Sequence, residues 1–509
     1  MRGSLWGWLM ALFGFFGALF GQCTGPDGPP DPPPPTTVCE ALSDAASVGD
    51  PLPSPAGPPD EAVVVDLDAP AGAANQELTG LVWNSGPSLD AIEGLRPSMI
   101  RVDGRLQDRS TGPGQLDVQP LLDKLTEIHS VGAEPLVILS YMPRWLGQPS
   151  ADARNPGANP TRMGPYDMDA WEQVVHDVVL AVATAPEPAR MFEAWNEPDL
   201  PTFWLDDDAT FVEMATRTHR AVAAVEQETG LDLKVGGPSL AFASNHSGAR
   251  VAGYVERIKA EGLPFDFWSW HRYANFPFLG PDGNEGHLPD ALYAILGRIN
   301  PDATPLSYSQ EIREARAHVD EVFAGTGLDP ELYIDEWNVS GGGLDLRHDS
   351  AVGAAFDAAI LIEMERAGLD RAAFYRATGS SGAGDWAIVH EDGTPKPAWW
   401  LFRAWDTMGG DLLAVTDDPA AGLFARATRS PEGCVQVLVA NFVAAGGAAH
   451  TVDIDLEGAL PASRCEASVA SLDAASTTFE LARPVPLAAG GSVALDVPAQ
   501  SVQLLRVDC

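Results

Sequence analysis

Apolar and polar positions alternate in two rhythms between residues 62 and 405. Short apolar runs that end on polar or aromatic residues recur eight times: LTGLVWN (78–84), PSMIRVDG (97–104), AEPLVILSYMP (133–143), ARMFEAWNEP (189–198), LKVGGPSL (233–240), FDFWSWHRYA (265–274), ELYIDEWNVS (331–340) and RAAFYRATGS (371–380). Runs of this length predict strands. Between them, mostly apolar residues fall three or four apart, as at Trp171, Val174, Val175, Val178 and Val182, or at Phe211, Met214, Thr218, Val222 and Val225. That spacing predicts amphipathic helices. Eight strand–helix repeats predict an α/β fold, a closed parallel (β/α)8 TIM barrel of about 250 residues or more. Glycine-rich phosphate motifs do not follow the strands, which weighs against an open nucleotide-binding sheet.

After Trp405 the helical spacing stops. CVQVLVANF, TVDIDL, SVALDV and SVQLLRV alternate apolar and polar residues and predict a C-terminal antiparallel β-sandwich. The expected domains are therefore a barrel over 62–408 and a sandwich over 409–509. Trp399, Trp400 and Trp405 fall on a helical stretch between them and are expected at the seam.

The N-terminus has a third texture. MRGS followed by LWGWLMALFGFFGALF is a basic start and an apolar run, so residues 1–23 predict an export signal. Cys23 precedes TGPDGPPDPPPPTT, which leaves three outcomes open: a lipid tether to the membrane at Cys23, secretion after cleavage, or an uncleaved anchor. The expected location is periplasmic or extracellular. Residues 24–61, rich in Pro, Gly, Asp and Ser, predict a spacer without a core. Cys39, Cys434, Cys465 and Cys509 make an even number in an exported chain and predict disulfides, with three pairings possible. Their spacing is not that of a zinc site.

Charge narrows the partner. The 509 residues hold 71 acidic against 31 basic side chains, a net charge of −40, which argues against a nucleic-acid ligand. In a closed barrel the site lies at the C-terminal ends of the strands. Glu197, in AWNEPDLPTFW, stands at that end of the fourth strand, and Glu336, in YIDEWNVS, at that end of the seventh. Two carboxyls facing each other across a cleft suit cleavage of a glycosidic bond, one giving a proton to the leaving oxygen and the other supporting the anomeric carbon. Arg101, at the end of the second strand, is the candidate cation that keeps one of them charged. Glu193 and Asp335, which flank the pair, are expected to support it. His271 and Tyr273, two apart on the sixth strand, point to one side.

AWNEPDLPTFW, LKVGGPSL, DFWSWHRYA, YIDEWNVS and PKPAWWLF, in that order, resemble glycoside hydrolase family 39, a clan A family that includes β-xylosidases and α-L-iduronidases. The resemblance runs from about residue 78 to 405 and implies a retaining double displacement. Glu197 would be the acid/base and Glu336 the nucleophile, with carboxyls about 5–5.5 Å apart. Asn196 would bond the hydroxyl next to the anomeric centre, and Tyr273 would orient the nucleophile in a pocket shared with His271. The family's second strand usually reads Ile-Arg-x-His-Gly, whereas IRVDG places Asp103 at the histidine. An acid there argues against a carboxylate-bearing sugar such as an iduronide. Trp386, after the eighth strand, is a candidate floor for a sugar ring, and Trp145, after the third, a weaker one. The expected substrate is an oligo- or polysaccharide carrying a β-linked pyranoside such as a xyloside, with neither cofactor nor metal required. An endo-acting or arabinofuranosidase-like enzyme of the same clan is the alternative, because DEWN also resembles the arabinofuranosidases. A non-catalytic carbohydrate-binding surface protein is the alternative of another class.

Overall fold

Eight parallel strands close into a barrel, each neighbouring the next in sequence and the last closing on the first. They are β1 (Gly80–Val82), β2 (Met99–Asp103), β3 (Glu134–Ile138), β4 (Met191–Glu193), β5 (Lys234–Leu240), β6 (Phe267–Tyr273), β7 (Glu331–Asn338) and β8 (Arg371–Tyr375). Each falls inside one of the eight apolar runs. The computed structural model describes residues 42, 47–148, 159–274, 304–341, 345–379, 382–444, 446–458 and 465–508. The expected signal with Cys23, most of the spacer with Cys39, and Cys509 lie outside the described residues.

The two helical patterns form Met168–Ala183 and Asp208–Thr229. The side chain of Asp167 accepts from the N–H groups of Asp169 and Ala170, and that of Asp207 from Thr210, capping the first turns. Gly230, at φ 68°, ends the second helix in the left-handed conformation.

Inside the barrel, period-two alternation stacks side chains in layers. Val82, Met99, Leu136, Met191, Phe267, Tyr333 and Ala373 form a dry plug. Phe267 and Tyr333 stack with ring centroids 4.5 Å apart. Gly236 makes room for them, since a Cβ there would lie 2.2 Å from the Phe267 carbonyl oxygen and 2.6 Å from its ring. Two residues further along β2, β4, β6 and β7 come Arg101, Glu193, Ser269 and Asp335, all fully buried. This polar layer is the floor of the site.

The second module is one ten-stranded, mostly antiparallel sheet. It corrects the expected boundaries. Glu61–Ala73 is a strand of this sheet, not the start of the barrel; it runs between Asp411–Thr416, antiparallel, and His450–Glu457, parallel. Ser47–Val48, inside the expected spacer, pairs in parallel with Leu481–Val485. Val63, Val65, Val437, Val439, Ile454, Leu505 and their neighbours make the sheet's own core. Leu438, Ala440, Val502 and Leu504 instead join the core of the barrel. Helix Ala351–Arg366 lies between the modules, and its residues 351–364 are buried all round. At this seam the Arg426 guanidinium sits 3.9 Å from the Trp405 ring centre and is paired with Glu365 at 2.8 Å. Trp399 and Trp400 are buried in the barrel core.

Candidate active site

The site begins with one arginine. The guanidinium of Arg101 has no solvent exposure and donates from Nε and Nη2 to Glu193 (2.9 and 2.6 Å), from Nη2 to Asn196 and Ser239 (both 2.8 Å), and from Nη1 to Glu336 (3.1 Å). Asp335 lies 3.2 Å from its Nε. Burial alone would lower its pKa, but the three carboxyl groups raise it above the ordinary arginine value.

Three carboxyls on one buried cation are more negative charge than the floor can hold, so a proton must stay behind. It stays on Asp335, which burial and the charge of Glu193 push well above the carboxylate range, and whose O–H donates to Glu193. Burial would raise Glu193 too, but Arg101, with the hydrogen bonds from Asp335 and Ser269 (2.5 Å), holds it below its usual value.

Asp335 and Glu336 are neighbours that both face inward, which strict alternation forbids. A bulge resolves it: Trp270 pairs with Ile334 and His271 with Glu336, leaving Asp335 as the extra residue. On β5, Trp268 pairs with Gly237 and Trp270 with Leu240, a second bulge that turns Ser239 inward at φ 54°. Glu197 itself sits at φ 44°, and Trp195 at φ 122°. Non-glycine residues take such angles only where their surroundings hold them. The holding bonds are present: the Glu197 N–H donates to the Ser239 carbonyl (2.8 Å), and Asp199 accepts from Ala241 N–H (2.9 Å) and Asn245 (2.8 Å). The NEPD turn is thereby tied to the loop after β5.

Glu197 and Glu336 are 12% and 14% exposed, and carboxylate oxygens of the two lie within 4.8 Å of each other and of the His271 ring. Burial pushes Glu197 up to about 8; Asp199 adds to the rise and Arg101 opposes it. His271, fully buried and drawn down to about 4, meets Glu197 through Nδ1 at 2.8 Å. Tyr273, kept in its phenol form by burial and by Glu336, donates to the Glu336 carboxylate. Glu336 thus receives a guanidinium N–H and a phenol O–H, the surroundings of a charged acceptor. Among the described residues Glu197, His271 and Glu336 are the one grouping close enough to hold a metal ion.

A cavity of about 130 Å³ opens above the pair, lined by Asn84, Asp103, Ile138, Tyr141, Asn196, Glu197, Phe203, Glu336 and Tyr375. Asn196, held by Arg101, donates to the Tyr141 hydroxyl (3.2 Å). Asp103 accepts the Arg105 N–H (2.8 Å), and burial still lifts it to about 6. The sequence-predicted Arg101, His271 and Tyr273 stand beneath this lining, on the two carboxyls. Trp386 and Trp145 are not in it: the Trp386 ring is edge-on to Tyr375 (5.7 Å) with the Arg376 guanidinium over it, and the Trp145 ring N–H donates to Ser110 (3.1 Å). Sequence reading missed Ser239, Asn84, Tyr141, Phe203 and Tyr375. Asn84, Tyr141 and Tyr375 end or follow strands, a usable signal; Phe203 reaches the cavity by stacking on Tyr141 (centroids 5.9 Å apart, planes 10°).

The profile of Glycosyl hydrolases family 39 matches residues 115–437. A β-xylosidase of Geobacillus stearothermophilus is 23% identical over 361 residues, 66% of this chain, and the chain spans 64% of that relative's length. Among solved structures, a glucosidase from Croceicoccus marinus superposes with TM-score 0.65 at 19% identity, over 88% of this chain and 99% of that one. A monomeric β-xylosidase from Caulobacter crescentus CB15 does so with TM-score 0.64 at 19% identity and the same coverages. At such identities the structures speak for the fold alone. The profile match takes in more than half of the chain, from before β3 into the sheet, and the chain belongs to glycosyl hydrolases family 39.

Proposed function

We propose that the protein is a retaining glycoside hydrolase acting on a β-linked pyranoside such as a xyloside, with Glu197 as acid/base and Glu336 as nucleophile. The observation that carries this reading is the approach of the two carboxylates to within 4.8 Å in unlike surroundings. Retaining enzymes need their carboxyls about 5–5.5 Å apart; inverting ones leave a gap of about 6.5–9.5 Å for water. Glu197, with its pKa raised to about 8, keeps its proton at neutral pH, while Glu336 faces two donors.

In the first step Glu336 attacks the anomeric carbon as Glu197 protonates the departing oxygen, and a glycosyl ester forms on Glu336. In the second, Glu197, now a carboxylate, takes a proton from water; the water oxygen bonds to the anomeric carbon, and Glu336 leaves with the electron pair of the ester bond. Arg101 and Tyr273 stabilise the carboxylate that departs. Asn196, in the cavity wall, is suited to bond the neighbouring sugar hydroxyl. Asp103, Glu197 and Glu336 line one cavity, which favours an uncharged sugar over one bearing a carboxylate. The xyloside assignment draws on the relatives named β-xylosidase.

Turnover of aryl and disaccharide glycosides by two variants tests the roles. Glu336→Ala should lose activity on every substrate. Glu197→Ala should lose about 10²–10⁴-fold on unactivated glycosides but spare the first step with activated leaving groups. Wild-type turnover of disaccharides by either variant would refute the assignment. We also read the protein as exported, with its cysteines in disulfides, from residues 1–23 and the cysteine number; a protein recovered from the cytoplasm of the cell that makes it, or free thiols at Cys39, Cys434, Cys465 and Cys509, would contradict this.

A further inference from the structure

A hydrogen-bonded chain joins the two ends of the site: Arg101 Nη2 lies 2.8 Å from Ser239 Oγ, Ser239 Oγ 3.1 Å from His271 Nε2, and His271 Nδ1 2.8 Å from Glu197 Oε1. Its proton order follows from the chemistry of the groups. A guanidinium can only donate, so Ser239 Oγ accepts from Arg101 and its own hydrogen points elsewhere. His271 Nε2 is the other partner of Oγ; if it donated instead, the buried Ser239 hydrogen would have no acceptor among the described hydrogen bonds, so Nε2 takes it. A neutral imidazole that accepts at Nε2 carries its hydrogen on Nδ1, and Nδ1 faces Glu197. The other candidate partner of Nε2, Asp335 Oδ1, is 3.7 Å away, beyond hydrogen-bonding distance.

We infer that Ser239 is a positioning residue that locks His271 in its Nδ1–H form, so that Glu197 receives a hydrogen bond whether or not it carries its own proton. The inference deepens the acid/base reading of Glu197 and rests on it. The opposite tautomer would present a bare Nδ1 to the acid, accept its proton as a hydrogen bond, and hold that proton back from the leaving oxygen. With the lock in place, the carboxylate formed in the first step is stabilised where it forms.

Ser239 is built for this duty. It is fully buried and held at φ 54°. Its N–H donates to Ser269 Oγ (3.0 Å) and its carbonyl accepts the Glu197 N–H (2.8 Å). The neighbours that also set the charge of His271 and Glu197 are the carboxyls of Glu193, Asp199, Asp335 and Glu336, the guanidinium of Arg101, and the phenols Tyr141, Tyr273 and Tyr375. Of these, Asp335 stands nearest to Nε2 among the described contacts, at 3.7 Å, beyond hydrogen-bonding distance.

The test combines nitrogen NMR of the wild-type enzyme with two variants. In protein labelled at its histidines, the His271 ring, assigned by its loss in His271→Gln, should show a protonated Nδ1 and a bare Nε2. Ser239→Ala removes the hydroxyl; Ser239→Gly removes it and relieves the positive φ, guarding against loss of fold. Both should lower kcat/KM on unactivated glycosides roughly tenfold while leaving activated aryl glycosides within about twofold, and both should move the alkaline limb upward, because a carboxylate that loses a donor titrates higher. A wild-type His271 protonated on Nε2 would overturn the inference, as would folded variants with the wild-type pH limb and substrate ratio. Should both variants unfold, the wild-type spectrum decides alone. Wild-type turnover by Glu197→Ala would instead defeat the acid/base assignment, with the tautomer still measurable.

Discussion

In the proposed mechanism Glu197 needs its proton for the first step, and its surroundings hold that proton to about pH 8 rather than to the ordinary carboxylate range. The sign follows directly: kcat/KM on unactivated glycosides should stay level towards neutral pH and fall about tenfold per unit above about 8. A pH profile checks this, and an alkaline limb near pH 5 would show that the carboxyl is not desolvated as described. The same profile on an activated aryl glycoside should lose this limb, since a good leaving group departs without the acid. Glu197, Glu336 and Arg101 were legible in the sequence because each stands near the end of an apolar run, at the C-terminal end of a barrel strand. Ser239 and Phe203 were not. A serine at φ 54° in a bulge looks like any serine after a GP pair, and Phe203 acquires its place by stacking on Tyr141, a contact that no local pattern encodes.

At the scale of elements, the barrel's layers assign the work. β2, β4, β6 and β7 each place an apolar residue in the plug and, two positions on, a polar one in the floor. Alternation made the inward side of β6 readable as His271 and Tyr273. The bulges on β5 and β7 were not readable, because a register slip is set by the neighbouring strand; the one on β7 brings Asp335 and Glu336 to Arg101, and the one on β5 turns Ser239 to it. The plug in turn depends on β5 having no side chain beneath Phe267. Gly236→Ala would drive a Cβ to 2.2 Å from a backbone oxygen, so strands must part rather than a side chain rotate. We expect a loss of stability of at least about 1–3 kcal/mol, the usual result of overpacking, and a weaker grip on Ser239 three residues on. Thermal denaturation with parallel kinetics measures both; an unchanged melting temperature would mean that the β5–β6 approach is looser than described.

Across the whole molecule, the barrel is bracketed by its own accessory sheet, since Glu61–Ala73 enters that sheet before β1 begins. The late strands were legible from alternation without helical spacing. The early one was not, because its partners, Asp411–Thr416 and His450–Glu457, lie at the far end of the chain. Removing residues 1–74 should therefore uncover the facing edges of Asp411–Thr416 and His450–Glu457 and take Val63, Val65 and Leu67 out of the sheet's core. Such a chain should aggregate or melt at least about 10 °C lower than one beginning at residue 42; equal melting temperatures would show that the strand is dispensable. The sheet braces the barrel through helix Ala351–Arg366 and the Trp405–Arg426 contact, while the proposed chemistry stays at the opposed carboxyls of Glu197 and Glu336. The most direct test of that pair is the configuration of the glycosyl azide that each alanine variant makes from an activated β-glycoside in the presence of azide, read by proton NMR. Glu197→Ala, which still forms the ester on Glu336, should give the β-azide, and Glu336→Ala, in which azide must attack the substrate itself, the α-azide. The same anomer from both variants, or the two reversed, would contradict the assignment of acid/base and nucleophile.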